Sequence, residues 1–476
     1  MVVRSVVKWT GVVAGIALVV CGAVTGARSA LAGSPEKLDD AVRAQQIKNL
    51  RWGMFVCWSF STFSGHEWTP TRDKDASFFR ATGCDTDQWC RTAKEAEMGY
   101  ILFLTKHHDG FCLWDTATTE KKVTNSPLGI DVLARLRKSC DRYGLKLALY
   151  FSEGDWNWPG AVDGKGGKGG YNPEVKKAQL KELCTKYGPI EFFWMDHAVG
   201  DGGLSHRDTV RWIHQFQPNC FVGFNHGEPA GRLAIRERGR PGPLGEASLR
   251  RYGKNMETAH KFLVAEFTYP ILPPHKGGAQ WFYSLPKYDN LCLPAEKIYR
   301  DYLGAVKYGN IFSLDVGPNY AGRLREIDVR TLRKVGRYIR GELPPPPTPL
   351  SLHKKATASS VWKNDVLHYG PQQVVDGDST TRWGAAPGAR SGWLEIDLGR
   401  PQAVSRAVVD EAGWDRVRQY EIQAWVNGGW QTVAAGKTLG PNKQIRFKQP
   451  VTAQRFRLNI LKAVDVPTIV EFELWK

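Results

Sequence analysis

One acid closes an oily stretch of this chain. Residues 186–200 read KYGPIEFFWMDHAVG; five of the six residues from Ile190 to Met195 are apolar, and the run stops on Asp196. A carboxylate at the end of a buried strand sits at the mouth of a barrel or sheet, where α/β folds keep nucleophiles and general bases. The plainer reading is a cap for a following helix, which Asp also suits. Three other strand-like runs end in polar clusters. His107-His108-Asp109 follows residues 99–104, Tyr150 and Trp156 lie at the end of 145–151, and Asn225-His226-Gly227-Glu228 follows 220–224. Adjacent histidines at a strand end suit hydrogen bonds to a polar ligand or to the fold itself. His107, His108 and Asp196 are also types that meet a metal ion.

Barrel-like periodicity supplies the elements that would position these groups. An entry helix is expected over 33–50, and helices over 85–98, 131–143, 173–187, 209–216 and 327–341. Gly144 suits a C-cap. Short apolar runs at 54–56, 99–104, 145–151, 190–196, 220–224, 262–267 and 308–314 read as buried parallel strands. Strand and helix alternate about every 40 residues, which predicts a (β/α)8-like barrel. A doubly wound sheet is the alternative, but no Gly-rich phosphate loop follows the first strand. The stretch GELPPPPTPL (341–350) is a stiff spacer with five prolines. Beyond it, alternating segments at 393–398, 419–426 and 455–460 predict an all-β sandwich. The expected division is an export signal at 1–32, a barrel at 33–342, a linker at 343–350 and a sandwich at 351–476.

Composition narrows the function. At 42% hydrophobic and 24% charged the chain is globular. Its 18 Trp, 16 Tyr and 20 Phe are enough to fill cores and still line a sugar cleft. The formal charge of +17 points to a basic surface or a polyanionic partner. Nucleic acid is one candidate, but the Lys and Arg are spread out and no nucleic-acid motif appears; a sulfated polysaccharide is another, and a basic surface serving solubility is the plainer reading, favoured over either. Arg4 and Lys8 precede an apolar stretch from Val12 to Val24, and Ala30-Leu31-Ala32 suits cleavage, so secretion or periplasmic export is expected. The apolar run is short for a retained anchor, and Cys21 lies in a poor lipobox. Nine cysteines are present; Cys84 and Cys90 are near enough in sequence to bridge.

Four blocks carry a family likeness: KHHDGFCLW (106–114), LALYFSEGDW (147–156), GPIEFFWMD (188–196) and GNIFSLDVGP (309–318). Over roughly 45–340 the chain resembles the α-L-fucosidases of glycoside hydrolase family 29. The resemblance implies an exo-acting retaining hydrolase with Asp196 as nucleophile and no catalytic cofactor. It implies a fucose pocket shaped by Trp58, His107, His108, Trp114, Tyr150, Trp156, His226 and Trp281. Retention requires a second carboxyl about 5–5.5 Å from the first, acting as acid and then as base. Glu228, Glu237, Glu246 and Glu266 compete for that role, with Glu237 preferred over Glu266. One departure stands out: Cys57 occupies the place of a sugar-binding His, and His66 or Glu67 is expected to substitute. The alternative is a non-catalytic barrel that binds fucose or polysaccharide; a hydrolase of another deoxy-sugar or galactose is a third reading.

The blocks VVDGDSTTRW (374–383), WLEIDLG (393–399), RFRLNI (455–460) and VEFELW (470–475) make the C-terminal part similar to the F5/8 type C, discoidin-like fold of carbohydrate-binding module family 32. That likeness implies a structural Ca²⁺ at Asp376, Asp378, Thr381 and Glu471, whose hard oxygens suit the ion. An Asx-turn without an ion is the plainer reading. Trp362, Tyr369 and Trp414 are candidate sugar contacts. The expected substrate is a fucosylated oligosaccharide or polysaccharide, with a sulfated fucan as the form the charge favours, and no nucleic-acid or membrane partner beyond the export signal.

Overall fold

The computed structural model describes residues 36–164, 166–196, 200–225, 229–244, 261–273, 275, 277–378, 381–411 and 414–476. Residues 1–32, expected to be an export signal, and His226, Glu228 and Glu246 lie outside the described residues.

Eight parallel strands close into a barrel in chain order: β1 Trp52–Val56, β2 Tyr100–Lys106, β3 Lys146–Ser152, β4 Phe192–Asp196, β5 Phe221–Phe224, β6 Arg232–Glu237, β7 Val264–Pro270 and β8 Ile311–Asp315. β1 pairs with β2 and with β8, so the sheet has no free edge. Most of the strands are largely apolar because one face fills the barrel and the other meets helices, β6 being the exception with three apolar residues between two Arg. β1, β2, β4, β7 and β8 are buried at every residue. The outer layer includes helices Thr86–Glu95, Val132–Tyr143, Pro173–Lys186, His206–His214, Ala295–Tyr308 and Glu326–Ile339. Asp85, Asp131, Asn172 and Ser205 cap four of these with their side chains. Gly144 ends its helix at φ 67°, as the sequence predicts.

A second, separate hydrophobic core holds the C-terminal sandwich. Its short strands are β9 Lys355–Ala358, β10 Trp383–Gly384, β15 Thr468–Ile469 and β16 Glu471–Trp475. The long ones are β11 Gly392–Asp410, β12 Val417–Val426, β13 Gly429–Gly436 and β14 Lys443–Ala463. The main sheet runs β13-β12-β14-β11-β16 and is antiparallel. All cysteines among the described residues are free. Cys84 and Cys90 are not bridged; Cys90 has Cys140 as its near neighbour, with sulfurs 3.9 Å apart. Among the described residues no helix is long and apolar enough to cross a membrane.

Candidate active site

Strand parity builds the site. Trp194 and Asp196 are two apart on β4, so both point into the barrel mouth. The parallel register sets Tyr150 beside Trp194 and Ser152 beside Asp196. Tyr150 stacks on Trp194 at 5.2 Å and donates its hydroxyl to Asp196 Oδ2 at 2.7 Å. Burial, and then the Asp196 charge, hold that phenol well above its ordinary range.

The double histidine ends β2. Gly110, at φ 76°, makes the turn; a Cβ there would collide with Asn157 and Asp155. Ser152 donates to Gly154 O at 2.8 Å, so at the 2.7 Å contact it accepts from His108 Nδ1–H. The neutral ring therefore presents the lone pair of Nε2, 3.5 Å from Asp196 Oδ2, as an acceptor for a hydroxyl. Burial, and then Lys106, lower His108 to about 3. His107 is likewise held well below its ordinary range, chiefly by burial, and packs against His108 and Phe282. Asp109, the third residue of the cluster, faces away from the pocket and holds Ser59 Oγ and Phe111 N–H.

A second carboxyl faces Asp196. Asn225, one residue past β5, donates through Nδ2 to Glu237 Oε2 at 3.1 Å and to Asp196 Oδ1 at 3.4 Å. Those two legs end to end cap the distance between the carboxylate oxygens at about 6.5 Å. Arg238, next to Glu237, adopts φ 50°, the left-handed turn that side chains avoid and that clusters at functional sites. It lies 5.3 Å over the Trp281 ring and donates to Gln280 Oε1. The pocket encloses about 200 Å³ between Cys57, Glu67, Trp68, His107, His108, Tyr150, Trp194, Asp196, Glu237, Arg238 and Trp281. That volume lies below the range for drug-sized ligands and suits one sugar ring. Glu67 accepts the N–H groups of Gln280 and Trp281, and burial raises its pKa.

Five expected residues fall elsewhere. Trp58 is fully buried against Phe79 and Trp89 and donates to Asn319 O, because Phe55 and Cys57 take the inward parity and leave Trp58 to the helix layer. Trp114 lies beyond the turn, where the chain doubles back along β2, and donates to Glu182. Trp156 is fully buried behind His108 and Trp68. His66 is exposed outside the pocket, leaving Glu67 to stand near Cys57. Glu266 sits inside the barrel. The register pairs it with Ile235, two residues or about 6–7 Å below the Glu237 level, so it misses the pocket. Its Oε2 accepts Trp194 Nε1–H at 3.3 Å, and burial pushes it up to about 8. Of the residues expected to line the pocket, Glu67, His107, His108, Tyr150, Asp196, Glu237 and Trp281 come together. Trp68, Trp194, Asn225 and Arg238 were not assigned roles from sequence; the i, i+2 spacing to Asp196 is a signal that finds Trp194.

The oxygens expected to hold Ca²⁺ are neighbours in the sandwich. Asp378 N–H donates to Asp376 Oδ1 at 2.9 Å, and Thr381 Oγ1 bonds Asp376 at 3.0 Å. Glu471 Oε1 is shielded and has no hydrogen-bond partner; burial, then Asp376, Glu473 and Asp378, push its carboxyl well up. A shielded orphan oxygen among like charges fits a hard cation. From the barrel, Arg240 Nη1 reaches Asp376 Oδ2 at 2.5 Å. Among the described residues no three His, Cys, Asp or Glu side chains are already drawn together as a bound ion holds them, here or at His107, His108 and Asp196. Of the sandwich aromatics, Tyr369 and Trp414 flank Arg382, each 5.0 Å from its guanidinium.

Comparison with known proteins identifies the family of each domain. Residues 33–342 match the family model described as Alpha-L-fucosidase, and residues 355–472 match the F5/8 type C domain. Alpha-L-fucosidase 1 of Arabidopsis thaliana is 27% identical over 455 residues, covering 89% of this chain and 85% of its own. A putative alpha-L-fucosidase 1 of Oryza sativa subsp. japonica is 26% identical over 492 residues, covering 97% and 90%. Among solved structures, a glycoside hydrolase 29 family member from an unknown rumen bacterium superposes with TM-score 0.53 at 24% identity, covering 93% of this chain and 77% of that one. A putative alpha-L-fucosidase from Bacteroides thetaiotaomicron gives TM-score 0.53 at 22%, covering 93% and 98%. The structural likenesses establish the fold, while the first family model spans most of the chain. The chain is a member of the alpha-L-fucosidase family of glycoside hydrolases.

Proposed function

We propose that this protein removes terminal α-L-fucose from glycans or polysaccharide, exo-acting and with retention. The observation that carries the reading is Asn225 bridging Asp196 and Glu237 across a one-sugar pocket. The cap of about 6.5 Å on the oxygen separation is compatible with the spacing of about 5–5.5 Å in retaining enzymes; inverting enzymes open to about 6.5–9.5 Å to admit a water. Asp196 Oδ attacks the anomeric carbon while Glu237 gives its proton to the departing glycosidic oxygen. Glu237 then takes a proton from water, whose oxygen displaces Asp196 and releases fucose. His108 accepts a sugar hydroxyl at Nε2, neutral His107 offers its ring nitrogens to another, Tyr150 orients Asp196, and the Trp281 ring covers an apolar sugar face. Pocket size supports exo action, since about 200 Å³ holds a chain end and not a chain interior.

Three further proposals go with this reading. The formal charge of +17 supports sulfated fucan among the substrates. The segment 1–32 supports export. Asp376, Asp378, Thr381 and Glu471 would hold a structural Ca²⁺, which neutralises the acids of the sandwich; binding would draw Asp376 off Arg240.

The test is trapping with 2-deoxy-2-fluoro-fucosyl fluoride followed by peptide mapping. The expected adduct is on Asp196, with an aryl α-L-fucoside turned over by wild type and not by Asp196→Ala. A label on another residue overturns the mechanism. A wild type that binds fucose without turning over the aryl fucoside favours the binding-only barrel.

A further inference from the structure

A cleft larger than the fucose pocket lies between the barrel and the sandwich. It encloses about 460 Å³, more than twice the volume of the pocket beside it. Arg238 lines both spaces. The direction is fixed by chemistry. A general acid must reach the glycosidic oxygen, so the leaving sugar lies on the Glu237 side of the pocket. From Glu237 the chain turns at Arg238 and continues through Gly239 and Arg240 along the wall of the cleft.

The wall is basic. Helix Ala295–Tyr308 turns Lys297, Arg300 and Lys307 toward the cleft, at spacings of three and seven residues that share one face. With Arg238 and Arg240 these make five cations, facing three carboxylates, Asp301, Asp376 and Asp378. Among the described residues two positive charges are left over. Lys297 is tied to Asp301 at 2.9 Å and Arg240 to Asp376 at 2.5 Å, so Arg238, Arg300 and Lys307 are the cations with no ion pair among the described residues. Guanidinium and ammonium groups along a cleft between two bodies of low dielectric concentrate anions and bind their oxygens in pairs.

We propose that this cleft is the aglycone site and that it takes an oxyanion-bearing oligosaccharide, carrying sulfate esters or carboxylates, on the leaving side of the fucose. The inference rests on the fucosidase reading and adds to it where the rest of the substrate lies and what charge it carries.

The experiment uses the full chain and three fucosyl oligosaccharides that differ only in the sugar next to fucose: neutral, sulfated, or a uronate. The readout is the ratio of kcat/KM on each anionic substrate to kcat/KM on the neutral one. That ratio should exceed one for wild type and fall by about tenfold per charge removed in Arg300→Ala and Lys307→Ala, the size of a lost charge-assisted hydrogen bond. It should also fall as salt rises from about 0.05 to 0.5 M, as the Debye length shortens. The ratio reports only folded enzyme, so partial misfolding leaves the result readable. A ratio of one in wild type, or a ratio unchanged by both substitutions, overturns the cleft assignment. Failure of wild type to cleave an aryl α-L-fucoside at all overturns the fucosidase reading instead. A ratio above one with only the sulfated or only the uronate substrate identifies which oxyanion the cleft takes.

Discussion

Replacing Glu237 by Ala tests the acid assignment. Glu237 Oε2 lies 3.1 Å from Asn225 Nδ2, which lies 3.4 Å from Asp196 Oδ1, so the two carboxylates face one another across a gap the anomeric centre can fill. A general acid so placed contributes about 10²–10⁴-fold. At about 1.36 kcal/mol per decade that is about 2.7–5.4 kcal/mol of transition-state stabilisation. Only a leaving group that needs a proton draws on it. On a fucosyl disaccharide, kcat/KM of Glu237→Ala should therefore fall by about 10²–10⁴. On 2,4-dinitrophenyl α-L-fucoside, whose phenolate leaves unprotonated, it should fall by less than about tenfold, because the acid is not needed in the first step. Azide, a nucleophile that needs no base, should restore the second step and release fucosyl azide. Equal losses on both leaving groups would refute the assignment. So would the same split appearing in Glu266→Gln, since Glu266 sits below the pocket with its Oε2 on Trp194.

Three other outcomes follow from the geometry. Asn225→Ala removes a donor shared by two carboxyl groups, the bond to the nucleophile's carboxylate being worth about 1.5–3 kcal/mol; kcat should fall about 10–150-fold, and an unchanged kcat in stopped or continuous assays on an aryl fucoside would sink the bridging role. His108 titrates near about 3 when folded against about 6.5 otherwise, so the unfolded chain binds a proton that the folded one refuses. Stability is then complete above about pH 6.5 and is lost as pH falls toward about 3, by on the order of 5 kcal/mol for this group; Tm measured from pH 7.5 to 4 should drop less steeply in His108→Gln than in wild type, and equal slopes would count against a neutral ring. Chelation by EGTA should lower Tm, with recovery on adding Ca²⁺ to about a hundred times its Kd returning about 2.7 kcal/mol; a Tm indifferent to both, and to Glu471→Gln, would refute the Ca²⁺ site.

What the sequence disclosed and what it hid have one physical cause. Strands buried on both faces are written as apolar runs, so seven of the barrel strands were legible before any coordinates. β6 was not, because only Leu233, Ala234 and Ile235 stand between Arg232 and Arg236, too few to separate a strand from a loop. That strand carries Glu237. It exists because β5 and β7 leave a gap that barrel closure must fill, which is information held by the neighbours and absent from the strand itself. Helix Ala295–Tyr308, which supplies the basic wall of the cleft, was missed as well, its C-terminal Tyr308 having been assigned to a strand. Within the legible strands, the errors were errors of parity and height. Trp58 is one residue from Cys57, and that step moves a side chain from the pocket to the helix layer. Glu266 has the inward parity of Thr268 but lies two residues lower, which moves a carboxyl from the mouth to the dry interior. A strand-end acid is therefore a catalytic candidate only when parity and height are both right, and height is set by the register with adjacent strands. Asp196 satisfies both because Ser152 lies beside it and Asn225 hands its amide across to Glu237; the acid pair is a property of closure, not of either strand.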